Sequence, residues 1–346
     1  MRFDTGTATL SALQKMLLLR RVPAFTRFDD DDLQLIAENL DTAILEKGDT
    51  LYTLGEPVSN IYHVVEGLVR IESADGHVEL VDSGKVGIGS ITMFAQTNAN
   101  ATATAEENTF VLALSASDMF ELFEKRSTIL SFVIEYVAEE IQRSRRVDGY
   151  NIPPPGELKG SPLSELGDKF DLIHRTQLLR LMLTMSSFRV SIAFEMARHT
   201  SPLTLLAGSE LWRVGEEADH FYFIIDGLVE CHVPTESEPF RLGPRDAVAF
   251  IDILAQAPYS YTARAVGEVR ALRVPSRSLW RVISDNHEFA ISMLALVSRI
   301  ALGLIQKSHS TAVVSDGDDS ELEEWLAHLP TSVPRIDSYK REDREH

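Results

Sequence analysis

One pattern occurs twice in this chain, displaced by 160 residues. Gly48, Gly55 and Gly67 recur as Gly208, Gly215 and Gly227. Their neighbours recur with them: Gly55-Glu56 and Gly215-Glu216, Gly67-Leu68-Val69 and Gly227-Leu228-Val229. The register continues through Thr102, Ala105, Leu112 and Phe120, which fall opposite Thr262, Ala265, Leu272 and Trp280. Three glycines at separations of seven and twelve, repeated without a gap, mean two copies of one domain. The fold must therefore be one that ~130 residues complete with their own core.

The texture of each copy names its elements. Residues 9–22 read as an amphipathic helix, and Asp29–Asp32 supply a cap and an acidic first turn for a second helix over 33–40. From Ala43 to Leu114 short β-branched runs alternate with Gly, Asp and Asn turns, as in Thr50–Tyr52, Ile61–Val65, Leu68–Ile71, Val78–Val81 and Phe110–Leu114. Regular short strands with turn signals predict a compact all-β roll or barrel. Helices are expected again at Ser117–Phe123 and Thr128–Arg146; the second carries Ile129, Phe132, Val133, Tyr136, Val137 and Ile141 on one stripe. Its basic end, Arg143, Arg145 and Arg146, complements a helix C-terminus.

Pro153–Pro155 stops that helix, so the boundary between copies is placed there. Residues 163–199 are expected to be helical, 203–274 to form the second β segment and 287–307 a last helix. An acidic residue then glycine, Glu66-Gly67 and Asp226-Gly227, reads as a hairpin, because glycine tolerates positive φ. The divisions are then a first domain over 1–150, a Pro-rich linker over 151–162, a second domain over 163–308 and an acidic, flexible tail over 309–346.

A net charge of −19 opposes attraction to nucleic acid and anionic lipid. The single cysteine, Cys231, rules out an internal disulfide. The sequence shows no run of 18 apolar residues and no secretory signal, so a cytoplasmic location without membrane insertion is expected. There is no nucleophile elbow, phosphate loop, zinc spacing or HExxH, so neither enzyme nor metal site nor cofactor is expected. His63, in a strand, reads as a solvent-facing or satisfied polar residue.

The stretches EKGDTLYTLGEPVSNIYHVVEGLVRI and LAGSELWRVGEEADHFYFIIDGLVEC resemble the cyclic nucleotide-binding domain family. That is the β-roll of bacterial catabolite activators, protein kinase A regulatory subunits and cyclic-nucleotide-gated channels. The resemblance covers about residues 17–146 and 170–307. It implies a mainly β fold with flanking helices: two tandem cyclic-nucleotide-binding-like β-rolls of jelly-roll type, joined by helices.

The resemblance also implies where a ligand would sit. In the family a Gly-Glu pair opens a short helix, and an Arg nine residues beyond the Glu meets the cyclic phosphate. Helix amides attract the anion and Arg adds a charged fork. Here the first cassette runs Gly89 to Ala99, with Ser90 at the Glu position and Ala99 at the Arg position. The second runs Ala249 to Tyr259, with Phe250 and Tyr259 at those positions. Both read as degenerate. No Arg or Lys occurs from Val86 to Phe123, and in the second copy the nearest bases are Arg245 and Arg264. Gly89, Ser90, Ile91, Asn98, Ala99, Asn100 and Thr102 form the candidate pocket of the first copy. Ala249, Phe250, Tyr259 and Arg264 form a degenerate second one, filled by Phe250 and Tyr259.

The resemblance gives further expectations. Catabolite activators carry a DNA-reading module after the long helix; the acidic stretch after His309 does not fit one, and DNA is not an expected partner. Arg20-Arg21 lies within a predicted helix, unlike the flexible inhibitor segment of kinase A regulatory subunits. Ala290, Leu294, Val297, Ala301 and Leu304 have heptad-like spacing and fit either a homodimer seam or packing on their own β-roll. The expectation is a non-enzymatic regulatory or scaffold protein acting through protein–protein contacts, with partners the sequence does not name; cyclic nucleotide is not the expected ligand. The alternative is a small-ligand sensor, chiefly through the first domain, that relays binding to the following helix.

Overall fold

The computed structural model describes residues 10–83, 87–148, 171–182, 184–185 and 188–311. The expected linker lies outside them, as does the expected tail beyond Thr311.

The chain opens with α1, Ala12–Leu19, closed at its start by a capping box between Ser11 and Gln14. It ends earlier than its apolar pattern predicts. A 3₁₀ turn, Pro23–Arg27, follows, because proline disfavours helix in the residue before it and lacks an amide donor. Arg20 and Arg21 therefore follow the helix rather than lie inside it. Next comes α2, Asp30–Glu38, capped by Asp29, whose carboxylate accepts from the Asp32 amide at 2.8 Å.

The first β-roll comprises β1 (Asp41–Leu45), β2 (Thr50–Tyr52), β3 (Asn60–Glu66), β4 (Val69–Ser73), β5 (Val78–Val81), α3 (Ser90–Ala95), β6 (Ala101–Ala105) and β7 (Thr109–Ser115). Then come α4 (Ala116–Lys125) and α5 (Ser127–Asp148). The second copy repeats this: α6 (Leu172–Leu181), α7 (Val190–Arg198), β8 (Ser201–Leu205), β9 (Glu210–Trp212), β10 (His220–Asp226), β11 (Val229–His232), β12 (Phe240–Leu242), β13 (Ala247–Val248), α8 (Phe250–Leu254), β14 (Thr262–Ala265), β15 (Val269–Pro275), α9 (Ser276–Asp285) and α10 (His287–Thr311).

Each roll is two antiparallel sheets, ordered β1-β7-β3 and β2-β6-β4-β5 in the first and β13-β10-β15-β8 and β12-β11-β14-β9 in the second. The fold is the mainly β architecture with flanking helices that the repeat implies. Its core in the first roll is Leu45, Leu51, Tyr62, Val64, Val69, Val81, Ile88 and Val111 with three small alanines, 103, 105 and 113.

The topology corrects the hairpin reading of Glu66-Gly67 and Asp226-Gly227. β3 pairs with β7 while β4 pairs with β5 and β6, so the turn is a corner at which the chain leaves one sheet for the other. Glycine is required there twice over. Gly67 and Gly227 have φ of +104° and +86°. A Cβ on Gly227 would also lie 2.3 Å from the Glu268 carbonyl oxygen. Gly55 and Gly215 sit in the tight turns expected of them, with Glu56 N–H donating to Thr53 at 3.1 Å and Glu216 N–H to Arg213 at 3.2 Å. Gly48 and Gly208 also have positive φ, and a Cβ there would meet nothing within 4 Å.

A cation closes the second helix of each copy. Buried Lys15 donates Nζ to the Leu40 carbonyl just beyond α2, and Arg175 donates to the Thr200 carbonyl just beyond α7. Both complement the negative end of a helix.

The chain divides into two compact units whose limits differ from the sequence boundary. The first runs to Val133 and takes in α10 from Val297; the second runs from Ile134 to Leu296. The helix α5, expected to belong wholly to the first domain, is thus divided. In the second unit Gln142 Nε2 donates to the buried Asp252 carboxylate at 2.7 Å, on which Ser260 also donates at 2.7 Å. In the first, Arg299 donates to the Ala95 carbonyl at 3.0 Å.

In α10, Ala290, Leu294, Val297 and Ala301 are buried within this single chain and Leu304 is half-buried. The stretch His287–Ile305, with mean hydropathy 1.8, is long and apolar enough to cross a membrane, although no uninterrupted apolar run marks it. Just over half of it, 56%, is buried inside the protein, as for a core helix.

Candidate functional site

The two cassettes share one backbone frame. Gly89 (φ +85°) begins α3, and Ala249, at the same place, holds φ +66° before α8. Gly55 N–H donates to the Ala99 carbonyl at 2.8 Å, and Ala99 N–H to Glu56 at 2.8 Å; Gly215, Tyr259 and Glu216 repeat this pair at 2.9 Å each. What differs is the side chains that the frame carries.

In the second roll they are rings. Trp212, on β9, lies between Tyr222 and Tyr259, with ring centroids 5.6 and 4.3 Å away and planes inclined by 23° and 15°. The Tyr259 hydroxyl donates to the His220 carbonyl at 2.8 Å, and burial pushes its pKa up. Tyr261 accepts from the Ala249 amide at 2.8 Å and receives Trp212 Nε1 on its carbonyl at 2.9 Å. Phe240 meets Tyr261 edge-on at 5.3 Å, and Phe250 meets Phe221 at 5.4 Å. Trp212 is 3% exposed, Phe250 3% and Tyr259 4%. Cys231, on β11 opposite Phe240, is fully buried, which raises its thiol pKa well above the ordinary value.

In the first roll the same positions are small or polar. Tyr52 replaces Trp212, Ser90 replaces Phe250, and Ala99 and Ala101 replace Tyr259 and Tyr261. Strand register puts Glu79, opposite Ile71, where Phe240 stands opposite Cys231. Two exchanges return part of this volume: Val58 for Ala218 and Ile71 for Cys231. Val58, Met93 and Ala99 pack together beneath Tyr52 and Ile61. Even so, Tyr52, Ile61, Ile71, Gly89, Ser90 and Ile91 are only half-buried, whereas Trp212, Phe221, Cys231, Ala249, Phe250 and Ile251 are buried. Tyr62 runs the other way: it is buried and Tyr222 is half-buried. Tyr52 has its pKa pushed up to about 12, first by burial and then by the Glu79 carboxylate.

A model of the cyclic nucleotide-binding domain matches residues 43–126 and 202–286. Both β-rolls are cyclic nucleotide-binding domains. The neuropathy target esterase sws of Drosophila yakuba is 24% identical over 174 residues, 47% of this chain and 10% of that protein. A cyclic nucleotide-gated potassium channel of Mesorhizobium japonicum is 25% identical over 120 residues, 35% of this chain and 33% of the channel. The aligned segments therefore span a tenth to a third of these relatives. Among solved structures, the regulatory subunit of a cAMP-independent protein kinase A from Trypanosoma brucei superposes with a TM-score of 0.31 at 17% identity, covering 79% of this chain and 84% of that one.

Within the first cyclic nucleotide-binding domain the residues named from sequence separate. Gly89, Ser90, Ile91 and Ala99 frame the site. The Thr102 hydroxyl accepts from the Leu54 amide at 3.1 Å, as Thr262 does from Val214 at 3.1 Å in the second domain. Asn98 is exposed and bridges Pro57 through its backbone, while Asn100 is half-buried. In the second domain Arg264 stands outside the ring cluster. It is exposed and pairs with Glu210 at 2.9 Å, because alternate residues of β14 face outward. Arg245 donates Nε to the Leu181 carbonyl at 2.7 Å. His63 is buried in β3, edge-on to Phe25 at 6.5 Å.

Sequence reasoning missed Tyr52, Glu79, Trp212, Phe240 and Tyr261. A residue-by-residue contrast of the two copies finds Tyr52 against Trp212 and Ala101 against Tyr261.

Proposed function

We propose that this is a non-catalytic regulatory chain whose two cyclic nucleotide-binding domains have taken different roles. The second is a sealed scaffold, its ligand site occupied by its own aromatic side chains and its surface left for protein contacts. The first retains an accessible site that no longer binds a cyclic phosphate strongly. The observation that carries this reading is the contrast in burial: Trp212, Phe250 and Ile251 are buried where Tyr52, Ser90 and Ile91 are half-buried on the same frame.

The lost phosphate contact follows from Ser90 and Ala99. A charged hydrogen bond contributes about 1.5–3 kcal/mol, so its absence weakens cyclic nucleotide by about ten- to a hundredfold or more. Titration of the chain and of S90E/A99R with cyclic AMP and cyclic GMP tests the reading. Binding gained only by the double variant supports it. Micromolar binding by the unaltered chain removes it, and failure of both means the first site is closed as well.

A further inference from the structure

Asp32 is a carboxylate of α2 that the fold buries: it is 4% exposed, whereas Asp30, Asp31 and Glu38 face solvent. Its partners come from far along the chain. Thr128 Oγ1 donates to one carboxylate oxygen at 2.8 Å, and Arg126 Nε stands 3.6 Å from the other, an ion pair too long for a hydrogen bond. Both partners sit where α4 meets α5. Arg126 alone separates the two helices, in extended conformation with φ −139° and ψ 96°. One residue has two soft dihedrals, so the angle of α5 is set by what touches this joint. Phe28 packs edge-on against Phe132 further along α5, at 4.3 Å.

The second domain makes the same joint without the carboxylate. Asn286 takes the place of Arg126, with φ −135° and ψ 96°; Ile192 takes that of Asp32, and Glu288 that of Thr128. Ile192 is 3% exposed, and the fully buried Phe289 meets Phe188 at 5.1 Å. Asn286 caps α10 through the Phe289 amide at 2.9 Å, and Glu288 pairs at the surface with Arg189 at 2.8 Å. Packing closes this joint, and opening it exposes apolar surface to water. The first joint has the opposite balance. A buried carboxylate is held by directional partners and recovers its hydration when they part. We propose that Asp32, with Thr128 and Arg126, is a releasable latch on the first domain's joint that frees the start of α5 from α2, whereas packing locks the second domain's joint. The latch does not depend on whether the first site is open.

Hydrogen exchange of the full chain, read by mass spectrometry over residues 129–136 of α5 and 289–296 of α10, tests the latch. Thr128→Val leaves the buried carboxylate without its donor. It should speed exchange over 129–136 at least about tenfold and leave 289–296 within about twofold. Asp32→Ile/Thr128→Val gives the first joint the second joint's residue at 32 and removes the polar partner. It should bring exchange back to the unaltered rate or below, because no buried charge is left to release. Thr128→Ser keeps the hydroxyl and should stay within about twofold of the unaltered chain. Side chains that merely fill space predict no such rescue. An unchanged rate in Thr128→Val overturns the latch. So does a double variant that exchanges as fast as Thr128→Val, or an equal rise over 289–296. A thermal melt checks that each variant folds. If Thr128→Val does not, the double variant decides: exchange no faster than the unaltered chain supports the latch, and faster exchange overturns it.

Discussion

Trp212 lies flat against Tyr259, ring centroids 4.3 Å apart and planes inclined by 15°, and the same two positions in the first domain are Tyr52 and Ala99. One backbone frame thus carries a stacked pair of rings in one copy and a single ring in the other. On the proposed reading, duplication lets one copy commit its site to stability while the other keeps its site open.

The Tyr259 ring should contribute strongly to the second domain. Tyr259→Ala removes a buried ring from a stacked cluster and should cost about 3–5 kcal/mol. Tyr259→Phe keeps the ring and loses the hydroxyl's hydrogen bonds to the His220 backbone and the Asp219 carboxylate, costing about 1–2 kcal/mol. Urea unfolding followed by tryptophan fluorescence measures both. Equal effects would mean the hydroxyl, not the stack, holds the site shut.

The corner glycines should be far less tolerant than the turn glycines. Gly48→Ala places a methyl in open space and bears only the left-handed backbone cost of about 1–2 kcal/mol. Gly227→Ala bears that cost and also drives its methyl to 2.3 Å from the Glu268 carbonyl oxygen, which backbone cannot easily yield. Thermal denaturation should show Gly227→Ala to be much the less stable of the two.

These contrasts explain what the sequence revealed. The glycines announce the fold because each marks a positive φ that recurs at the same offset. Most strands are legible from their β-branched runs, but β6, Ala101-Thr-Ala-Thr-Ala105, is not, because small residues carry little strand signature. The cassette residues were legible because they are contiguous. Tyr52 and Glu79 were not, because β2 and β5 reach the site only through the order β2-β6-β4-β5. Glu79 and Phe240 are also 161 residues apart, one more than the repeat, so a fixed offset passes them by. The sheet change after Gly67 was misread because an acidic residue before glycine marks a corner as well as a hairpin.

Stability should fall at alkaline pH. Tyr52 and Tyr136 both have pKa values raised to about 12, by burial first and then by Glu79 and Glu140 respectively. A group whose folded pKa is raised stabilises fully below its unfolded value, near 10, and loses that contribution as pH rises through about 12. Unfolding free energies should therefore decline between pH 10 and 12, with phenolate absorbance lagging that of free tyrosine. Glu79→Gln should lower the Tyr52 pKa only in part, since burial is the larger cause.

Cys231 offers a clean probe of the seal, being the chain's one cysteine. It is buried, and burial raises its thiol pKa well above the ordinary value, so a maleimide should label the native chain only as fast as the second domain opens. Tyr259→Ala should speed labelling by at least about tenfold, and an unchanged rate would mean that Tyr259 does not close the site.

Calorimetric titration of cyclic AMP into the chain and into S90E/A99R bears most directly on the division between an open and a sealed domain. The account predicts no micromolar binding by the unaltered chain and binding at a single site, the first, in the double variant. Micromolar binding by the unaltered chain would contradict it.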